Sequence, residues 1–406
     1  MNEKKNVTLL VLVAAIGYFV DLYDLILFSI VRIPSLQALG LKGEELTSTG
    51  INLLNVQMFG MLLGGILWGI LGDKKGRISV LFLTILLYSI ANIANGMVQN
   101  LTQYYILRFF AGLGLAGELG VGITLVAEVM SKEKRALGTA IVSSIGIAGA
   151  IAGFLVADLF DWRIAYYVGG AMGLVLLVMR VSVYESGMFK NLKASSVHRG
   201  SFLKLFTDKK RFSKYIKCIL IGIPVWYVIG ILVTLAPEFA KALNIQGNVI
   251  GGEAVMYHYI GASIGAILTG VLSHQLKSRK KALLIALSGL TITLIWFFLS
   301  TGVSNVMFYT ILLLIGIPNG YWAVFVTTAS EQFGTNMRAT VTTTVPNFVR
   351  GATVLVTTAF NYFKTGSIGV LGAAISVGIV VMAVAFYASL TIEESHHKDL
   401  DYYELD

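Results

Sequence analysis

The chain has 406 residues, 56% of them hydrophobic and only 13% charged, with a mean hydropathy of +0.77. A soluble globule carries about 25% charged residues, so this composition excludes an ordinary soluble domain and implies a chain that crosses a membrane repeatedly. The single Cys218 excludes an internal disulfide framework and a cysteine-only metal site, and the net charge of +9 must be judged by its distribution.

Twelve apolar spans are read in chain order: 7–31, 50–71, 78–98, 102–130, 136–157, 163–183, 215–237, 251–273, 281–301, 304–328, 339–362 and 367–391. Counting Lys281 at the start of the ninth span, 22 of the 31 Lys and Arg fall on the side of the N-terminus. Arg32, Lys42, Arg163, Lys241 and Lys364 fall on the other side. This is the positive-inside pattern, so the basicity records topology and not a nucleic-acid partner, and both termini are expected in the cytoplasm. Lys4 and Lys5 precede the first apolar run as in a signal peptide. That run continues for about 25 residues, with acids inside it and no small-residue cleavage site, so it is read as the first span.

The first span carries Asp21 and Asp24, with Tyr23 between them. A spacing of three places both acids on one helical face, close enough to share a proton, and like charges in a low dielectric raise at least one pKa. An acid at mid-bilayer costs about 2.5–3.5 kcal/mol on insertion scales, so such a pair faces a cavity or a partner. Between the second and third spans runs Gly69-Ile-Leu-Gly-Asp73-Lys-Lys-Gly-Arg77, a short basic link that reads as a cytoplasmic hairpin. The fourth span contains Arg108 and then Gly112, Gly114, Gly117, Glu118, Gly120 and Gly122, a flat face for close helix packing. Arg108 and Glu118 lie about 15 Å apart along a helix axis, so they do not pair with each other. Either is able to meet the acids of the first span.

The polar segment 184–214 divides the chain into halves, giving expected domains at 1–183 and 215–392, with a tail at 393–406. A repeat supports the division. Glu128 lies seven residues before Arg135, and Glu331 lies seven residues before Arg338, an offset of 203 in both cases. Gly270 to Lys281 is a worn counterpart of the stretch beginning at Gly69. In the second half Pro224-Val-Trp226-Tyr227, Tyr257-His258-Tyr259, Pro318-Asn319-Gly320-Tyr321-Trp322 and Pro346-Asn347-Phe-Val-Arg350 are polar and aromatic positions inside spans. Proline frees backbone groups there, and Arg350 at mid-span requires an acid, a carbonyl or an anionic solute. The tail Glu393-Glu-Ser-His-His-Lys-Asp is expected to be solvated.

The link containing Asp73 and Arg77 resembles the helix 2–3 signature of the major facilitator superfamily, and the run from Arg108 resembles its helix 4 signature. Together with the paired Glu…Arg links and the twelve-span layout, the resemblance covers essentially the whole chain. Asp21-Leu-Tyr-Asp24 narrows it toward the branch of proton-coupled organic-acid, phosphate and zwitterion symporters, which also holds sugar and nicotinate-type porters. Leu22 and Gly334 depart from the forms common in that branch. The resemblance implies an all-α membrane protein of two six-helix bundles in the cytoplasmic (inner) membrane.

The expected function is proton symport of a small organic anion or zwitterion by alternating access. The alternative is a proton-coupled exporter of a metabolite, siderophore or drug, against which the absence of a proline beside Gly146, Gly149 and Gly153 argues. Asp21, Asp24 and Glu118 are the expected proton carriers. Arg108, Tyr23, Gln57, Trp226, Tyr227, Tyr257, His258, Asn319, Tyr321, Trp322, Asn347 and Arg350 are the expected substrate contacts. Asp73, Arg77, Glu128, Arg135, Glu331 and Arg338 are the expected cytoplasmic gate. No nucleotide loop, metal cluster or nucleophile–base pair is present in the sequence, so no enzyme activity, cofactor or metal is expected and a proton gradient supplies the energy. The expected partners are a small solute and the lipid bilayer, with the chain a monomer.

Overall fold

Inside a bilayer every backbone N–H and C=O must find its partner within the protein, and helices satisfy that demand locally. The computed structural model describes residues 2–75, 77–117, 132–185, 202–366 and 368–396. Among them the secondary structure is helical, with no strand beyond one isolated bridge between Gln246 and Ser304. The first half contains α1 (Asn2–Ala38), α2 (Gly43–Lys75), α3 (Arg77–Asn95), α4 (Leu101–Leu115), α5 (Lys132–Leu159) and α6 (Trp162–Glu185). The second contains α7 (Lys209–Tyr227), a π-helical turn (Val228–Val233), α8 (Ala236–Ala242), α9 (Gly251–Gln275), α10 (Arg279–Leu299), α11 (Asn305–Asn319), α12 (Trp322–Glu331), α13 (Thr335–Lys364) and α14 (Gly369–Thr391).

Eight helical stretches among the described residues are long and apolar enough to cross a bilayer, and 80–95 and 145–159 are shorter apolar helices. The fourth expected span runs past residue 117 into positions outside the described residues. The eleventh lies in α13, whose 30 residues include eight threonines, Asn347 and Arg350 and are correspondingly polar. The chain is therefore an all-helical, multi-spanning membrane protein.

Packing repeats between the halves. In the first, α1 packs on α5 and α6, α2 on α4, and α3 on α4 and α6. In the second, α7 packs on α13 and α14, α9 on α11, and α10 on α11 and α14, the same pairings one half later. The halves meet along two related seams, α2 against α13 and α5 against α9.

Two expected spans are broken, and both breaks have local causes. The seventh changes to a π turn after Tyr227, where the Thr234 N–H and hydroxyl both use the Ile229 carbonyl, at 3.1 and 2.7 Å. Pro237 then starts α8. The tenth breaks between α11 and α12 at Gly320–Tyr321, two residues after Pro318. The first span, in contrast, continues as helix past its expected end to Ala38, so that Arg32 is a buried helical residue and not part of a loop.

Close approach of α9 to α11 rests on Gly261, Gly265, Gly316 and Gly320. A Cβ on Gly320 would meet the Ala262 carbonyl and the Ala266 N at 2.5 Å, and one on Gly265 would fall within the Ile317 carbonyl. Backbone cannot yield as a side-chain tip does. Gly270, one turn further along α9, has nothing within 4 Å of such an atom. Gly265→Ala is therefore expected to destabilise the detergent-solubilised protein by ~1–3 kcal/mol and lower its melting temperature, read by fluorescence-detected size exclusion. Gly270→Ala is expected to be neutral or slightly stabilising, because alanine is the better helix former. Equal behaviour of the two variants would contradict this packing.

Candidate functional site

Asp21 and Asp24 are both fully buried on α1, and each lies in the other's electric field. Asp24 also faces the Arg108 charge from α4 and the Asn92 side chain from α3. Arg108 donates from Nη2 to Gln57 Oε1, and Gln57 Nε2 donates to the Leu25 carbonyl at 3.3 Å. The guanidinium lies 5.1 Å from the Phe28 ring centroid and 5.8 Å from that of Tyr166. The Tyr166 and Tyr104 hydroxyls share a 2.8 Å hydrogen bond behind it. Gly169 of α6 leaves the space that Asp24 occupies, since a Cβ there would overlap Asp24 Oδ1. Neither oxygen of Asp24, nor Nε and Nη1 of Arg108, has a hydrogen-bond partner among the described residues. The first half thus encloses an acid and a base that interact by charge without being locked by direct hydrogen bonds.

A separate cavity lies between the halves. Tyr18, Leu22, Leu25 and Ile147 line it from the first half, and Trp226, Ile229, His258, Tyr259, Asn319, Trp322 and Arg350 from the second. Arg350 is 1% exposed, and its Cζ stands 5.8 Å from the Trp226 ring and 5.9 Å from the Trp322 ring. Each such contact contributes about 0.5–2 kcal/mol, which offsets only part of the desolvation of a guanidinium. Its Nε and Nη1 have no hydrogen-bond partner among the described residues. Tyr18 stands within electrostatic reach of both Arg350 and Asp21, with the Trp322 side chain beside its hydroxyl. It connects the cavity to the acids. The breaks in the seventh and tenth spans place Trp226, Ile229, Asn319 and Trp322 on the cavity wall.

At the end where α1 turns into α2, the halves are tied together. Arg32 Nη2 lies 2.8 Å from Glu238 Oε1 and donates to the Thr234 carbonyl at 3.1 Å. Thr47 donates to Glu238 at 3.1 Å, Thr234 to Ser29 at 3.0 Å, and Lys364 pairs with Glu44. Sequence reasoning counted Arg32 and Lys364 only as topology markers. Their acidic partners lie more than 200 residues away in the chain, beyond the reach of spacing rules.

At the opposite end Glu331 pairs with Arg279 of its own half, Nη2 to Oε1 at 3.0 Å, and accepts from Ser395 Oγ at 2.7 Å. Residues 393–396, expected in solvent, instead dock here. Glu394 accepts from the Ser278 hydroxyl, from the N–H of Arg279 at 2.9 Å and from the N–H of Lys280 at 3.2 Å, capping α10. Burial pushes its carboxyl up, but the hydrogen bonds from Ser278, His396, Arg279 and Lys280 outweigh burial and draw it down to about 2.

Of the expected substrate contacts, Trp226, His258, Asn319, Trp322 and Arg350 meet at the cavity. Tyr23, Tyr227 and Tyr321 tie helices instead, donating to the carbonyls of Ala165, Ala374 and Ile221 at 2.9, 2.7 and 2.7 Å. Asn347 donates to the Ala116 carbonyl at 2.8 Å, across the halves, and Tyr257 stacks on Tyr309 at 5.1 Å. Gln57 belongs to Arg108 in the first-half centre. Glu118 and Glu128 lie outside the described residues, as do the side chains of Asp73, Arg77, Arg135 and Arg338. The reading missed Tyr18 and Asn92. Tyr18 was accessible to it, three residues before Asp21 on the same helical face, whereas Asn92 carries no local signal.

The model of the family described as Major Facilitator Superfamily matches residues 14–357. The chain is similar to the cis,cis-muconate transport protein of Acinetobacter baylyi, 28% identical over 96% of this chain and 94% of the relative. It is 28% identical to a probable 4-methylmuconolactone transporter of Cupriavidus pinatubonensis, over 80% of this chain and 76% of that protein. It is also 32% identical to a putative niacin/nicotinamide transporter of Bacillus subtilis, over 45% of this chain and 46% of that protein.

The depressed carboxyl of Glu394 gives the docked tail a pH dependence with a definite sign. A group whose value falls on folding stabilises the folded form above its ordinary value, near 4.5, and loses that contribution as the pH falls toward 2. Hydrogen exchange at the start of α10 is therefore expected to stay slow from neutral pH down to about 4.5 and, after correction for intrinsic rates, to quicken below it. Glu394→Gln is expected to bring the faster exchange to neutral pH. Unchanged protection in that variant would dismiss the cap.

Proposed function

Because this chain belongs to the Major Facilitator Superfamily, we propose that it imports a small organic anion across the cytoplasmic membrane in symport with protons. One observation carries the reading. Arg350 is a permanently charged group buried in an aromatic cavity between the halves, held by two indole faces and with two nitrogens lacking partners among the described residues. A guanidinium so placed is suited to a carboxylate, which takes parallel N–H donors in one plane and supplies a counter-charge. The aromatic and aliphatic walls suit a flat unsaturated body. The names of the relatives for methylmuconolactone and niacin transport support a solute of this kind, whereas the muconate transport protein is named for a dicarboxylate.

In this reading the chain has twelve spans in two bundles, 1–183 and 215–392, joined by 184–214, with both termini in the cytoplasm. Asp24, Asp21 and Glu118 carry the proton. Loading Asp24 changes the charge that Arg108 meets, and Tyr18 relays the state of Asp21 to the cavity at Arg350. Arg32–Glu238 and Lys364–Glu44 close the face away from the cytoplasm, so that face opens only when these ion pairs part. Arg77, Glu128, Arg135 and Arg338, with Asp73, form the closure at the cytoplasmic face, which Glu331 joins only by leaving its pair with Arg279 in its own half. Alternating access follows from exchange between the two sets of contacts.

Proteoliposome uptake with an imposed pH gradient, over labelled aromatic and unsaturated carboxylates, sugars and amino acids, tests the reading. Arg350→Gln is expected to raise the KM for the transported anion by about 100-fold or more, the usual effect of removing one member of a buried charge pair. Asp24→Asn is expected to abolish uphill accumulation while leaving exchange. Transport of neutral sugars alone, or an Arg350→Gln variant with wild-type KM, would sink the proposal.

The closure at Arg32 has its own test. Glu238→Gln removes the counter-ion of a buried guanidinium, which costs about 3–5 kcal/mol in the closed form. Cysteine probes on Ser48 and Asn248 are then expected to react faster with an impermeant maleimide than in an otherwise identical background. Equal rates would remove the latch from the mechanism.

A further inference from the structure

The cavity holds a second polar feature that the carboxylate reading leaves unused. His258 on α9 and Asn319 at the end of α11 are 0% and 2% exposed, and both line the cavity. The glycines at 261, 265, 316 and 320 bring these helices together closely enough for the two side chains to pair, with His258 Nε2 3.2 Å from Asn319 Nδ2. In this arrangement the amide donates to the ring, and the ring proton sits on Nδ1. The Leu312 carbonyl faces the ring, but Nδ1 makes no full hydrogen bond among the described residues. With the amide in this orientation, Asn319 Oδ1 is a buried acceptor with no hydrogen-bond partner among the described residues. Arg350 is the one formally charged side chain among the residues lining the cavity.

Two consequences follow from these charges and lone pairs. A single guanidinium neutralises a single carboxylate, so a second carboxylate in this space would be buried without a cation. Beside Asn319 it would also set acceptor against acceptor. A hydroxyl or N–H on the solute would instead donate to Oδ1 and satisfy it. We infer that His258 and Asn319 form a neutral recognition subsite for a hydrogen-bond donor on the solute, so that the chain selects flat monocarboxylates bearing a hydroxyl or N–H and rejects dicarboxylates. Asn319 is the residue that determines this specificity, and His258 positions it. The inference rests on the reading of Arg350 as the carboxylate anchor.

The test is competition for uptake into proteoliposomes containing the full chain, with labelled 3- and 4-hydroxybenzoate as tracers. The competitors are the 3- and 4-methylbenzoates, which match the hydroxyl in size without donating, together with benzoate, terephthalate and cis,cis-muconate. At least one hydroxybenzoate is expected to bind about tenfold or more tighter than its methyl analogue, because a buried acceptor left unpaired weakens binding by that order. Terephthalate and muconate are expected to compete at least about tenfold less well than benzoate. Asn319→Leu is expected to bring the hydroxy-to-methyl ratio close to one, a readout independent of how much active protein each preparation contains.

A methyl analogue that binds as well as its hydroxy partner in the wild type, or a dicarboxylate that competes as well as benzoate, would overturn the inference while leaving the anchor at Arg350 standing. Absence of competition by every carboxylate would overturn both. The wild-type panel decides the question even where Asn319→Leu fails to fold.

Discussion

A guanidinium cannot shed its charge, so each one buried among apolar helices must be matched by its surroundings. Three buried arginines meet that demand in three ways. Arg32 has a carboxylate, Glu238, and a backbone carbonyl supplied by the other half. Arg108 has an amide, two aromatic faces and the field of Asp24. Arg350 has two indole faces and nitrogens without hydrogen-bond partners among the described residues. All three leave Nε and Nη1 without a hydrogen-bond partner among the described residues, so they differ in the charges and rings around them, and in the proposed reading they mark in turn a closure, an acid–base centre and a ligand site.

Glycine packing gives these charges their geometry. Gly169 clears the space for Asp24, and the stripe on α9 and α11 holds His258 against Asn319. Where a helix must offer side chains to the cavity instead of packing, its regularity is interrupted: a π turn follows Trp226 and a break follows Asn319. Tight and interrupted regions alternate along the same spans. That combination allows a rigid wall to carry polar groups without exposing unsatisfied backbone to lipid.

In the proposed reading, substrate and proton are handled at separate places. Asp21 and Asp24 of α1 are not among the residues that line the cavity. Tyr18, one helical turn from Asp21 and beside Trp322, stands within electrostatic reach of both Asp21 and Arg350. A coupling device of this kind works through the field and position of a neutral hydroxyl, and it leaves the charged groups enclosed in both centres.

The sequence by itself determined that the chain is helical and membrane-spanning, that its halves repeat, and that Asp21, Asp24, Arg108 and Arg350 are charged residues placed inside its apolar spans. These are matters of apolar run length, charge bias and the cost of burying a charge, all local properties of a chain in lipid. Trp226, His258, Asn319 and Trp322 were found as polar or aromatic residues near proline or glycine, but Tyr227, Tyr257, Tyr321 and Asn347 had the same appearance and serve packing. Only the tertiary structure separated the two groups, because the direction a side chain takes at a π turn or a helix break depends on the neighbouring helix. It alone paired Arg32 with Glu238, brought Asn92 to Asp24 and docked Glu394 on α10. Each of these contacts joins residues of different helices, and no periodicity within one helix records its partner.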